Sequence, residues 1–318
     1  MTEKKKIGPY SIEQAIGKGA YAEVYLVSDE QGNGFAMKVI KNIDRLTPSQ
    51  LKHIKTEIKV MKTLRHPNIV RSRFILASKR KLYIVMDYIG GGNLLQLLQQ
   101  QRLPLYQSRR FFIQTALAMQ YCHKNAIAHR DIKAENILLS EDHNQLFISD
   151  FGLSAIYNED QDILNQQSKR TLLRTSCGSP YYVAPEVLKR RDYDGQKADV
   201  WSTGILLYLL LLRRYPFDAA SHELLQEVIC KGDVQFPQAK IDNGQVPLSA
   251  VKVIKQMLQI DPATRPTFSE IIQSEFVKED DEYFQLWSKE CEKEQLEGER
   301  ERDQQKDEKD DEEDKDIE

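Results

Sequence analysis

The stretch His129-Arg130-Asp131-Ile132-Lys133-Ala134-Glu135-Asn136, followed by Ser149-Asp150-Phe151-Gly152, decides how the rest of this 318-residue chain is read. It gathers two aspartates, a lysine and an asparagine into loops, and the patterns on its two sides differ. Upstream, Ser11–Ile16, Val24–Ser28 and Phe35–Ile40 are short β-like runs separated by Gly17-Lys18-Gly19 and Gly32-Asn33-Gly34, which predicts antiparallel hairpins. Thr47-Pro48 is a helix start, and Leu51, Ile54, Ile58 and Met61 recur at helical spacing. Two more strand-like runs, Arg73–Ala77 and Leu82–Asp87, come before Gly90-Gly91-Gly92. From Leu94 onward the pattern is mainly helical, with strong segments at Ser108–His123, Ala198–Arg213, His222–Cys230 and Leu248–Gln259. A small β-rich part therefore precedes a larger helical one, with the three glycines at the seam.

Gly17-Lys18-Gly19-Ala20-Tyr21-Ala22-Glu23-Val24 lies between two predicted strands, where glycines let the backbone approach a polyphosphate. Taken alone it reads equally as a hairpin turn; a dinucleotide-binding turn is disfavoured because a strand follows it. The next strand carries Ala36-Met37-Lys38, whose ammonium can reach phosphates. Glu57 sits at the margin of the apolar stripe of the 48–63 helix, placed to pair with Lys38. A surface lysine and a solvated glutamate are the plainer readings of the two.

Together with Ala184-Pro185-Glu186, these segments resemble in order and approximate spacing the HRDxKxxN, DFG and APE signatures of eukaryotic protein kinases. The resemblance covers residues 10–277. It implies an α+β, bilobal kinase fold with a β-rich lobe at 10–88, a helical lobe at 93–277 and ATP between them. Residues 1–9 would be an extension. Asp131 would accept the proton of the incoming hydroxyl, and Lys133 would act as a fixed cation on the transferring phosphoryl group. Asn136 and Asp150 would hold Mg²⁺, which prefers oxygen ligands. By the same resemblance Ile16, Gly17, Lys18 and Gly19 cover the nucleotide, Val24, Ala36 and Leu138 sandwich the adenine, and Met86 guards the back of the pocket. The backbone of Asp87 to Ile89 would hydrogen-bond the base. Arg130, Glu186, Asp199 and Arg265 match structural positions of the family.

Lys133 and the Gly178–Glu186 segment look like the serine/threonine branch, so the expected partners are protein substrates and an upstream activating kinase. Leu172–Pro180 is similar to the activation segment of AMP-activated protein kinase relatives, and Tyr193–Trp201 to the plant calcineurin-B-like-interacting kinases. Both belong to the calcium/calmodulin-dependent kinase group. Phosphorylation of Thr175 would add about −1.5 to −2 charge for Arg130 to bind, and the polar stretch Asn158–Lys169 implies a mobile segment without it. Cys177 is read as an inert free thiol rather than a redox handle. Three departures stand out. Ala22 replaces a third glycine, Ser72 stands where an apolar residue is expected in the spine linking the lobes, and Asn93 replaces the acid that relatives use on the ribose. The second reading is a pseudokinase or nucleotide-binding signalling scaffold, against which stand Lys38, Glu57, Asp131, Asn136 and Asp150. A small-molecule kinase would not need the Gly178–Glu186 segment.

From Lys289 to Glu318 the chain carries net −9, and with −3 for the whole this leaves +6 on residues 1–288. The expectation for 278–318 is an acidic tail, solvated, partly helical or disordered, too acidic for a calmodulin-binding helix, with no room for the regulatory domains that close relatives carry. No nucleic-acid recognition motif accompanies the basic body. No apolar run approaches the roughly 20 residues needed to cross a bilayer. Four separated cysteines give no disulfide framework, pointing to a reducing intracellular setting, cytoplasmic or nuclear.

Overall fold

Alternating β-branched and aromatic residues form the predicted hairpins, and a computed structural model describes residues 5–18, 22–157, 173, 179–189 and 192–315. Strands β1 (Lys6–Ile7), β2 (Tyr10–Lys18), β3 (Ala22–Ser28), β4 (Gly34–Lys41), β5 (Ser72–Ala77) and β6 (Lys81–Asp87) make one antiparallel sheet in the order β1-β2-β3-β4-β6-β5. Register puts Lys38 of β4 between Val24 of β3 and Ile84 of β6, and Ala36 beside Met86. Helix α1 (Pro48–Thr63) starts in a capping box, with Thr47 and Gln50 each bonding the other's backbone and Pro48 in the first turn. Its buried face includes Val60, Met61 and Glu57.

The seam is steric. Gly91 donates its N–H to the carbonyl of Leu139 at 2.9 Å. A Cβ there would sit 2.1 Å from the carbonyl oxygen of Ser140 and 2.5 Å from that of Leu139, so only glycine fits. Gly91→Ala is expected to cost at least about 2 kcal/mol, because the clash is with backbone and cannot be relieved by a rotamer change. A urea-unfolding midpoint equal to that of the wild type would show that the two lobes do not meet this closely.

Beyond the seam come α2 (Leu94–Gln100), α3 (Leu105–Lys124) and β7 (Ile127–Ala128), then the hairpin β8 (Ile137–Leu139) and β9 (Leu146–Ile148), and β10 (Ala155–Ile156), which pairs with β7. Among the described residues the remaining α-helices are α4 (Pro185–Leu188), α5 (Gly195–Leu212), α6 (His222–Lys231), α7 (Gln238–Asp242), α8 (Leu248–Met257), α9 (Phe268–Ile271), α10 (Glu275–Lys278) and α11 (Asp281–Lys315). Almost every residue of α5 is buried, from Ala198 to Leu212, so it forms the axis of the large core with α3 and α8 around it. Two smaller clusters lie on the sheet, one around Val27, Met37 and Val85, the other joining Ile40 and Ile84 to Met61 of α1. No described helix is long and apolar enough to cross a membrane.

The chain after 278 corrects an expectation. Residues 281–315 form one helix, as the partly helical alternative allows, but its first turns are docked where a solvated tail is expected. Tyr283 and Trp287 stack at 5.7 Å, and both pack on the large core with Cys291, which is 4% exposed. Tyr283, Trp287 and Cys291 recur every four residues, an apolar stripe of which only Cys291 falls within the charge count from Lys289. Burial pushes the Cys291 thiol up to about 12.

Candidate active site

The site is assembled from the edges of both lobes. The Lys38 ammonium lies 2.5 Å from Glu57 Oε1 of α1 and 3.2 Å from Asp150 Oδ1, so β4, α1 and the loop after β9 meet at one cation. Burial works against the charge on Lys38, but Glu57 and Asp150 outweigh it and hold the ammonium above the ordinary lysine pKa. Burial also works against the Asp150 carboxylate, and Lys38 outweighs it in turn, keeping that carboxyl below the usual aspartate value. The ammonium's stabilisation is complete below the ordinary lysine pKa and is lost as pH rises through the raised value. The carboxylate's is complete above the ordinary aspartate pKa and is lost as pH falls through the lowered one. Lys38 and Asp150 are therefore both ionised across the neutral range.

A second cluster surrounds Asp131. Its Oδ2 accepts from Lys133 Nζ at 2.7 Å and from Asn136 Nδ2 at 2.9 Å, and its Oδ1 lies 3.4 Å from Ser179 Oγ. The loop is held from behind. Buried Asp199 accepts the N–H groups of Arg130 (2.7 Å) and His129 (2.9 Å) and meets His123 Nε2 at 2.9 Å. His129 Nδ1 accepts from the Asp131 N–H, so its Nε2 is the nitrogen that donates to the Ser149 carbonyl at 3.1 Å. One imidazole thus joins the two acidic segments, and its ring lies 4.6 Å from that of Phe151. Arg130 (φ 70°) and Asp150 (φ 59°) are both in left-handed backbone conformations, strain of the kind that collects at functional sites. The Arg130 guanidinium donates to Tyr193 Oη and to the Leu153 carbonyl.

Oxygen donors are available for a hard cation. The Asn136 amide nitrogen is spent on Asp131, leaving Oδ1 as its donor, and Asp150 is half exposed beyond Lys38. That donor set fits Mg²⁺. Among the described residues no group of three or more His, Cys, Asp or Glu side chains converges on a metal site of another kind.

Ile16, Gly17 and Lys18 lie on β2, with Gly17 opposite Val24. Ala36 is buried, Val24 and Leu138 are half-buried, and Leu138 forms an isolated bridge with Asn93. Asn93 Oδ1 accepts the Gln96 N–H at 2.9 Å and starts α2, so a ribose contact would fall to its amide nitrogen. The Asp87 carboxylate forks onto Arg73 and its N–H is bound to the Arg71 carbonyl. Ile89, half-buried, follows on the link to the seam. Ser72 is 7% exposed and opposite Met86 in the ladder, a small polar residue inside the connection between the lobes. Glu186 and Arg265 form a buried bidentate pair, both bonds 2.7 Å. Gly19, Thr175, Cys177 and the stretch 158–169 lie outside the described residues. Tyr193 and Tyr182 lie in motifs that the sequence shows but are given no role there, yet Tyr193 receives Arg130 and Tyr182 Oη accepts the Ala134 N–H at 3.2 Å. Their phenols act through tertiary contacts that leave no local pattern.

A family model described as a protein kinase domain matches residues 10–277. The chain is 39% identical over 277 residues to CBL-interacting protein kinase 9 of Oryza sativa subsp. japonica, covering 86% of this chain and 58% of that protein. It is 38% identical over 279 residues to CBL-interacting serine/threonine-protein kinase 3 of Arabidopsis thaliana (87% and 60%). To CBL-interacting serine/threonine-protein kinase 8 of the same plant it is 37% identical over 278 residues (87% and 59%). The chain thus spans somewhat under two thirds of the length of the curated relatives it matches.

Proposed function

Because the chain belongs to the protein kinase domain family, we propose that it is a serine/threonine protein kinase, transferring the γ-phosphate of ATP to hydroxyls of protein substrates. The observation that carries this reading is the Lys38 ion triad, which joins residues 19 and 112 positions away in sequence into one phosphate-facing charge group. Phosphoryl transfer passes through a loose transition state, so catalysis is mostly positioning and charge neutralisation. Lys38, held by Glu57, takes the α- and β-phosphates. Asp131 orients the substrate hydroxyl and takes its proton, and Lys133, bound to the same carboxylate, steadies the transferring group. Asn136 and Asp150 would hold Mg²⁺, which when bound neutralises the charge of the phosphates. The adenine sits between Val24, Ala36 and Leu138. The identity to relatives named as serine/threonine kinases supports protein hydroxyls as acceptors.

Thr175 is the activating phosphosite in this reading, its phosphate binding Arg130 and drawing the guanidinium from Tyr193. Partners are protein substrates and an upstream kinase acting on Thr175. The scaffold alternative is not favoured, since every charged group that the chemistry needs is present and paired.

The test is γ-phosphate transfer from Mg·ATP to serine/threonine peptides, with the full chain prepared with and without phosphate on Thr175. Wild type should transfer. Lys38→Met should reduce transfer by about 10²-fold, since it removes one fixed transition-state charge, and should lower the thermal midpoint as well, because it leaves the buried Glu57 carboxylate without its counter-charge. A phosphorylated wild type that binds ATP and transfers nothing would replace this reading with the scaffold.

A further inference from the structure

The segment 65–71, which leads from α1 into β5, is the joint of the site. Its Asn68 carbonyl accepts from the Ile148 N–H (2.8 Å) and its Val70 N–H donates to the Ile148 carbonyl (3.0 Å), which laces it to β9 two residues before Asp150. The Arg71 carbonyl accepts the Asp87 N–H at 3.0 Å, which ties the same segment to the end of β6 beside Met86. Arg65 closes α1, donating to the carbonyls of Leu64 (2.9 Å) and Met61 (3.5 Å), and its own N–H donates to Tyr121 Oη of α3 (3.1 Å). Whatever fixes this joint therefore fixes the end of the helix that carries Glu57.

Helix α11 lies over the joint and touches it at three levels. Trp287 Nε1 donates to Asn68 Oδ1 at 2.5 Å, and Asn68 in turn donates to Gln114 and to the Leu146 carbonyl. Three turns on, Gly298 admits the stem of Arg65: a Cβ at 298 would lie 2.5 Å from Arg65 Cγ and 2.6 Å from its Cβ. One turn further, both oxygens of Glu301 accept from Arg71 (2.8 and 2.6 Å), with Arg65 Nε at 3.7 Å. The Arg71 hydrogen bonds, working against burial, hold the Glu301 carboxyl below the usual glutamate range. A helix this charged needs no docking to stay in solution; its first turns pack on α3 and the large core, and beyond them Gly298 and Glu301 meet the one segment shared by α1, β9 and β6.

We propose that Glu301 is a positioning residue for phosphoryl transfer. Through Arg71 and Arg65 it fixes the joint, and so the end of α1, with Glu57 paired to Lys38; Gly298 is the notch that lets α11 approach. The inference deepens the kinase reading and rests on it. It makes the acidic segment a part of the machine and not a solubilising appendage.

The experiment compares full-length wild type, Glu301→Ala, Glu57→Gln and the double variant. Three quantities are measured: kcat/KM for ATP, thermal midpoint, and amide hydrogen exchange over residues 48–63. Glu301→Ala is expected to lower kcat/KM about fivefold, the scale of one partly exposed charge-assisted pair, and to speed exchange in α1. In the Glu57→Gln background the same replacement should cost less than about twofold, because the group it positions is gone. Additive losses, or a loss with unchanged α1 exchange, would overturn the proposal and leave α11 a packing element. If wild type binds Mg·ATP yet transfers nothing, the kinase reading fails by itself, and exchange then decides the proposal: faster α1 exchange in Glu301→Ala upholds it, unchanged exchange ends it.

Discussion

Asp131→Asn is expected to lower kcat for transfer by about 10²- to 10⁴-fold, the range of a positioned general base, with the KM for ATP moving less than about threefold. The direction follows from how the carboxylate is held. Oδ2 is already engaged by two donors, Lys133 Nζ and Asn136 Nδ2, and the residue is only 8% exposed. An asparagine can keep that arrangement only by turning its carbonyl oxygen toward the two donors, since the opposite orientation would set NH₂ against an ammonium and an amide. The NH₂ group then occupies the Oδ1 position on the Ser179 side, where a substrate hydroxyl would need an acceptor. The framework behind the loop is untouched, because the bonds of Asp199 to His129 and Arg130 run to backbone N–H groups. The variant should therefore fold and bind nucleotide normally while failing at the chemical step. Steady-state kinetics beside a nucleotide-binding isotherm check this; activity within tenfold of wild type would mean that the hydroxyl is delivered without Asp131.

Much of this site is legible in the sequence because its residues sit where local pattern and chemistry agree. Lys38 falls on a strand that alternates, Glu57 on the edge of an amphipathic helix, and Asp131, Asn136 and Asp150 on loops bounded by short apolar runs. Strands β2 to β6 extend the predicted runs by only one or two residues at their ends, while the short strands β1 and β7 to β10 have no counterpart among those runs; α1 begins at the Pro48 that the Thr47-Pro48 signal marks. What the sequence conceals is tertiary. Asn93 looks like a departure at a ribose position, and its Oδ1 turns out to cap α2 in a box with Gln96. Asn68 looks like a polar loop residue and is wholly buried, joined to α3, β9 and Trp287. The acidic helix shows the limit most plainly. Composition averaged over the thirty residues from Lys289 measures solvation and leaves out Tyr283 and Trp287, whereas docking depends on those two rings together with Cys291 and Gly298, a stripe at helical spacing.

The largest loss of stability is expected at Arg265. Its side chain is fully buried, and all five N–H donors are used: two on the Glu186 carboxylate, and one each on the carbonyls of Gln259, Lys197 and Ile260. The guanidinium also lies 5.0 Å over the Trp201 ring at the centre of the helical core. Arg265→Leu would leave Glu186 almost buried without a counter-charge, and breaking one side of such a pair costs about 3–5 kcal/mol. Replacing both partners removes the stranded charge but not the three stranded carbonyls, so Glu186→Leu with Arg265→Leu should recover part of the loss and not all of it. Urea unfolding of the two single variants and the double one measures the coupling. The consequence reaches the chemistry, because Glu186 sits in the first turn of α4, which Pro185 opens directly after the 179–184 segment, whose Tyr182 Oη receives the Ala134 N–H and whose Ser179 faces Asp131. Loosening the pair frees the floor of the catalytic loop, so transfer to peptide should fall before global unfolding begins, at denaturant concentrations where nucleotide still binds. A double variant as stable as wild type would show that the carbonyls find water, and that the pair serves placement of the segment more than the strength of the fold.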